Sequence, residues 1–192
     1  MRTWIVALAL ALAGMGARAE ELNVDSEHTR VTFEINHFGY STFRGQFNEA
    51  TGRISYDPAA KRGSADVTVA VASVATGVAK LGQHLQTPEF FDAAKHPNVT
   101  FKSTAFNFDG DELKSVDGNL TIRGTTKPVT LTVTAVACKP HPLGKYPACG
   151  ADAEVKIKRS EYGVSGYLPA VGDEVTLRIG VEANNKPPGT NK

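Results

Sequence analysis

Between Leu22 and Ala183 apolar residues recur at every second position, and that period constrains the fold more than any other feature of the chain. In "RVTFEIN", Val31, Phe33 and Ile35 alternate with Thr32, Glu34 and Asn36. The same alternation runs through "ADVTVAVAS" (Val67, Val69, Val71), "NVTFKSTAF" (Val99, Phe101), "NLTIRG" (Leu120, Ile122), "PVTLTVTA" (Val129, Leu131, Val133), "AEVKIKRS" (Val155, Ile157) and "EVTLRIGVEA" (Val175, Leu177, Ile179, Val181). A side-chain period of two belongs to half-buried strands, and β-branched residues fill these runs as strands prefer. The breaks "YDPAAKRGS", "FDGDEL", "VDG", "RGTTKP" and "LPAVGDE" carry the Gly, Pro and Asp of chain reversals. Many short strands with short turns imply an antiparallel barrel or sandwich. One polar face per strand separates this pattern from a buried parallel sheet.

Two stretches depart from the period. "TGVAKLGQHLQTPEFFDAAKHPN" places Val78, Leu81 and Leu85 at helical spacing. Thr87-Pro88 then reads as the cap and first residue of a second short helix, which Pro97 ends. In "INHFGYSTFRGQF", Ile35 continues one strand, His37 to Tyr40 breaks the phase, and Phe43, Gly45 and Phe47 resume on one face. That is strand, corner, strand, with Phe38 and Tyr40 on the corner.

The N-terminus reads as a secretory signal. Arg2 precedes an apolar run from Ile5 to Leu12, and Ala17-Arg18-Ala19 supplies the small residues of a cut after Ala19. The run is shorter than the roughly 18 residues of a spanning helix. Residues 1–19 are therefore expected to leave an exported chain with no transmembrane segment. The formal net charge of +1 becomes about −1 once Arg2 and Arg18 are removed. Such a balance gives no support for a nucleic-acid partner, which requires a basic excess. The tail, residues 185–192, is polar, rich in Pro and Gly, and expected to be disordered.

Cys138 and Cys149 bracket "CKPHPLGKYPAC". Two cysteines in an exported chain favour a disulfide. The rival is a metal site that includes His141, although it offers only three ligands and no zinc spacing.

Catalytic sets are absent from the pattern. The five histidines are scattered, "GVSGY" lacks the nucleophile elbow and sits in a strand-like setting, and no phosphate loop or calcium loop is present. No catalytic residue, metal or cofactor is expected. His84 is read either as a helix histidine bonded to a loop carbonyl or as a polar contact at a cavity mouth. Phe33, Phe43, Phe47, Phe90, Phe91 and Phe101 either fill a core or line an apolar pocket, and periodicity does not separate the two.

Four stretches carry a family resemblance: "VDSEHTRVTFEINHFGYSTFRGQF", "QHLQTPEFFDAAKHPNVTFKST", "VDGNLTIRGTTKPVTL" and "AEVKIKRSEYGV". The last is similar to a late "I-K-R-x-x-F/Y-G" strand. In this order they resemble the YceI family of periplasmic polyisoprenoid-binding or lipid-binding proteins, over residues 20–184. The resemblance implies an extended, lipocalin-like antiparallel β-barrel of about eight strands with a short helical insertion. It implies a long apolar cavity for a polyisoprenoid, an isoprenoid quinone or a fatty amphiphile, and a place in the periplasm. Two features lie outside the family pattern. Leu81-Gly82-Gln83 stands where some relatives carry charge, and the cysteine pair is not general.

On this reading the protein binds a hydrophobic ligand and is not an enzyme. Phe33, Ile35, Phe43, Phe47, Phe101, Leu120, Ile122, Leu131 and Val133 are expected to line the tube. Phe38, Tyr40, His84, Leu85, Phe90 and Phe91 are expected at its mouth, with Tyr40 and His84 serving the ligand's polar end. An edge-rich β-fold also leaves room for a homodimer. The rival readings are a barrel enzyme, which needs convergent polar groups deep in the cavity, and a structural or stress-related domain with a solid core. The cavity discriminates among them.

Overall fold

The computed structural model describes residues 20–186. The expected signal segment and residues 187–192 lie outside the described residues.

The chain winds once around an eight-stave antiparallel barrel, and three staves are each built from two segments. The first is β1 (Glu21–Val24) with β2 (Arg30–His37), the second β3 (Ser41–Phe47) with β4 (Ala50–Asp57), and the third β5 (Arg62–Ala70) with β6 (Val74–Ala75). The remaining staves are β7 (Asn98–Asp109), β8 (Glu112–Ile122), β9 (Thr125–Pro140), β10 (Pro147–Lys158) and β11 (Val171–Asn184). Sequential staves pair throughout. The ring closes because β11 pairs with both segments of the first stave, Val175 opposite Ile35 and Ala183 opposite Val24. Closure satisfies backbone groups that an open sheet would leave on its edges.

The break between β1 and β2 is compensated by a side chain. Buried Thr29 donates its hydroxyl to the Glu182 carbonyl at 3.2 Å and accepts from the Glu182 N–H at 3.1 Å. Thr29 Oγ1 thus takes the place of a ladder partner, as a buried backbone group requires. The sequence pattern marks neither β1 nor β4.

Three local expectations are corrected. "VDG" is not a turn: Val116 to Gly118 lie inside β8. Gly118 is there because the Phe101 ring from β7 covers it; a Cβ would come within 2.4 Å of Phe101 Cζ. A strand glycine at such a close approach imitates a turn signal. The helical insertion yields one helix, α1 (Ala79–Leu85), with Val78 exposed just before it. The second helix does not form. After Thr87 the chain makes tight turns, with Phe91 N–H bonded back to Leu85 and Asp92 N–H to Thr87. Asp92 has φ +51°, which a right-handed helix cannot contain. Finally, Ser165 does not sit in a strand. β10 ends in a 3₁₀ turn, Arg159–Tyr162, and Gly163 to Ala170 form loop and turns before β11.

The buried apolar residues form two clusters instead of one solid core. One contains Ile122, Ile157, Tyr162 and Val175; the other contains Phe47, Ala50, Val69 and Val74. Phe33, Leu85, Phe91 and Val99 pack against both.

Candidate ligand cavity

The lumen is hollow. Val31, Phe33 and Ile35 point inward from β2, a strand paired on both sides, yet all three are only half-buried. A filled core would enclose them, since protein interiors pack as densely as organic crystals. An eight-stranded barrel has room either for its own side chains or for one small ligand.

Two cavities occupy the lumen. The upper one, about 360 Å³, is capped by the β2–β3 corner, by α1 with the turns after it, and by the segment Arg159–Val171. The lower one, about 170 Å³, is lined by side chains such as Tyr56, Phe106, Leu113, Val136 and Val181, with Thr29 the one hydroxyl apart from Tyr56. Val31, Val69, Val99 and Leu177 line both and form a common wall between the chambers.

Phe33, Ile35, Phe38, Phe43, Phe47, His84, Leu85, Phe90, Phe91 and Ile122 all meet at the upper chamber. Phe101, Leu120, Leu131 and Val133 line the lower one. Tyr40 lines neither and is 90% exposed, because the corner turns it outward. Phe38, at φ +55°, swings its ring back onto His37, with centroids 4.4 Å apart.

The mouth is aromatic. Phe90 stacks on Tyr167 at 6.1 Å, and His84 meets the Phe90 ring edge-on at 5.0 Å. His84 Nε2 lies 3.6 Å from a Glu89 carboxylate oxygen, so its neighbour is a side chain and not a loop carbonyl. Arg123 clasps this end from outside, donating to the Gly163 carbonyl at 2.5 Å and the Pro88 carbonyl at 2.7 Å.

Sequence reasoning did not identify the segment after β10 as a wall of the cavity. Arg159, Tyr162, Val164, Tyr167 and Val171 all line the upper chamber, as does His37. Arg159 is 6% exposed, and its guanidinium donates to the carbonyls of Gly172 (2.8 Å), Val171 (2.9 Å) and Val164 (3.0 Å). Burial pulls its pKa below the ordinary arginine value, and Asp173 opposes that pull. Burial likewise pushes the Tyr162 hydroxyl up, with a contribution from Glu161. The signal that marks the segment is Tyr162-Gly163, where Gly163 at φ +74° ends the 3₁₀ turn.

The cysteine question is settled by register. Cys138 and Cys149 are directly opposite on β9 and β10 and form a disulfide. His141 instead stacks on Tyr146 at 4.6 Å. Among the described residues no helix is long and apolar enough to cross a membrane.

A closed eight-stave barrel around a divided apolar lumen defines a small binding protein of the hollow β-barrel class. The chain belongs to the YceI-like domain family, whose model matches residues 22–183. It is 38% identical over 177 residues to the UPF0312 protein ECA1782 of Pectobacterium atrosepticum, covering 90% of each chain. It is 37% identical to Protein YceI of Escherichia coli O157:H7, covering 88% of this chain and 89% of the relative. The fold matches Burkholderia cenocepacia BcnA with a TM-score of 0.72 and 29% identity, over 83% of this chain and 99% of that one. A Saccharophagus degradans domain described as polyisoprenoid-binding matches with a TM-score of 0.66 over 88% of this chain and all of its own; at 14% identity it speaks to the fold alone.

Proposed function

We propose that this protein sequesters or carries a long-chain isoprenoid or related amphiphile in its lumen, whether a polyisoprenoid, an isoprenoid quinone or a fatty amphiphile. The observation that carries the reading is the two-chamber apolar lumen. Its upper chamber, about 360 Å³, falls within the range of about 300–1,000 Å³ typical of ligand sites. Moving an apolar chain into it removes surface from water at roughly 25 cal/mol per Å².

Binding is favoured over covalent chemistry by the polar groups of the upper chamber. Among the described residues, no polar side chain lining the chamber hydrogen-bonds another lining side chain: Arg159 is held by backbone carbonyls, and His84 faces Glu89. A nucleophile and its base need such a pairing. The periplasm is the proposed site of action, from the signal-like segment before Glu20.

The test is mass spectrometry of lipid extracted from protein purified from native cells, with fractionation and N-terminal sequencing of the same material. The expected result is a periplasmic chain beginning at Glu20 with a stoichiometric isoprenoid or fatty amphiphile. Native protein that carries no such lipid, and takes none up from micelles, overturns the proposal.

A further inference from the structure

Within that reading, we propose that Arg159 and Tyr162 form an internal head site in the upper chamber, selecting amphiphiles whose head presents a carbonyl or carboxylate oxygen. The polar end of the ligand then lies against the wall made by the 3₁₀ turn and not at Tyr40, which faces outward.

Three observations carry this. Arg159 is a cation 6% exposed in an apolar wall, and it spends one N–H from each of its three nitrogens on backbone carbonyls. A guanidinium has five N–H donors, so one remains on each terminal nitrogen. Second, no carboxylate among the described residues hydrogen-bonds the guanidinium. The nearby Asp173 spends its oxygens on the Ser160 N–H (2.8 Å) and hydroxyl (2.7 Å). Asp173 offsets part of the charge without taking these two N–H groups, and low-dielectric surroundings strengthen any bond they donate. Third, Tyr162 is 2% exposed and lines the same chamber, and its hydroxyl has no hydrogen-bond partner among the described residues. Every fully enclosed side-chain nitrogen or oxygen there does have one. The Tyr162 oxygen thus retains free surface, and the chamber is the space this residue lines. A buried tyrosine hydroxyl ordinarily finds a partner, and a ligand oxygen supplies it.

The carbonyl of a quinone and the carboxylate of a fatty acid offer this same acceptor chemistry. An alkyl chain without a head offers none.

The experiment uses the full mature chain, stripped of lipid, and displacement of an apolar fluorescent dye. The probes are dodecanoate, the methyl ketone of the same chain, a short-chain ubiquinone, and dodecane. Wild type is expected to prefer the oxygen-headed probes to dodecane by about tenfold, the scale of a hydrogen bond from a charged donor. Tyr162→Phe is expected to reduce that preference about fivefold. Arg159→Met, checked by its unfolding midpoint, is expected to abolish the preference. Ketone, carboxylate and quinone arms that rank differently identify the head; the shared preference is the claim. Equal binding of headed and headless probes by wild type overturns the head site while leaving the lipid-binding reading intact. So does a preference untouched in both variants, or a Tyr162→Phe loss that dodecane shares. If none of the probes binds, both the lumen reading and the head site fall.

Discussion

The ring of Phe33 on β2 lies over Gly45 on β3, so close that a Cβ on Gly45 would meet Phe33 Cζ at 2.3 Å. Phe101 stands over Gly118 in the same way. Each glycine lets a lining ring seat close against the barrel wall. Gly45→Ala should therefore drive Phe33 into the upper chamber. The expected cost is about 1–3 kcal/mol, as for other overpacked sites, together with a loss of lipid capacity. Denaturant titration and dye binding on the same variant measure both. Unaltered stability and capacity would show that the ring moves without effect.

The shared wall between the chambers makes binding depend on chain length. Val31→Phe or Val99→Phe should add bulk to the wall that both chambers share. Long-chain probes should weaken more than short probes that fill only the upper chamber. A length series read by dye displacement checks this. Equal weakening of short and long probes would mean that the substitution acts through the fold.

Arg123 holds the mouth by two backbone carbonyls from different segments, those of Gly163 and Pro88. Arg123→Ala removes two charge-assisted bonds, a loss of about 1.5–3 kcal/mol at most for an exposed group. Hydrogen exchange should speed up across residues 86–97 and 159–170. Exchange in β8 and β9 should change little, because their ladder is untouched. A uniform increase over the barrel would argue against a local clasp.

Asp173 sets part of the acid limit. The Ser160 N–H holds its carboxyl below the ordinary value of 3.8; burial opposes this, and the Ser160 hydroxyl with the charges of Arg159 and Lys158 adds to it. A carboxyl depressed in the folded state stabilises the fold at pH above its unfolded value, and that contribution is lost as pH falls through the folded value. Stability should thus decline from about pH 4 downward. Asp173→Asn should lower stability at neutral pH and flatten that acid limb in urea titrations. An acid limb of unchanged slope would assign the effect to other carboxylates.

The cross-strand cystine closes the far end of β9 and β10. Cys138→Ser with Cys149→Ser should cost about 3 kcal/mol, the value for a loop of this length. Upper-chamber binding should persist, since neither cysteine lines that chamber. Thermal unfolding with and without reductant, beside dye binding, measures the two effects separately.

Much of the site was legible because strand alternation dictates which residues share a face. Phe33, Ile35, Phe43, Phe47 and Ile122 reach one chamber, and Phe101, Leu120 and Leu131 the other, as their phase requires. Alternation says nothing where it stops. The phase break puts Phe38 and Tyr40 on one corner, but positive φ at Phe38 and Gly39 sends the two rings different ways, Phe38 to the chamber and Tyr40 to the outside. Arg159 and Tyr162 read as the end of a strand, and the 3₁₀ turn that aims them at the lumen depends on carbonyls from Gly172 and Val171, far along the chain.

By itself, the sequence determined the strands and their inward faces, because these follow from local period. Only the tertiary structure decided that the inward faces surround a void, where that void is divided, and which polar groups enter it. Hollowness depends on how far opposite walls stand apart, a distance set by ring closure through β11 and the first stave, and no local pattern encodes it.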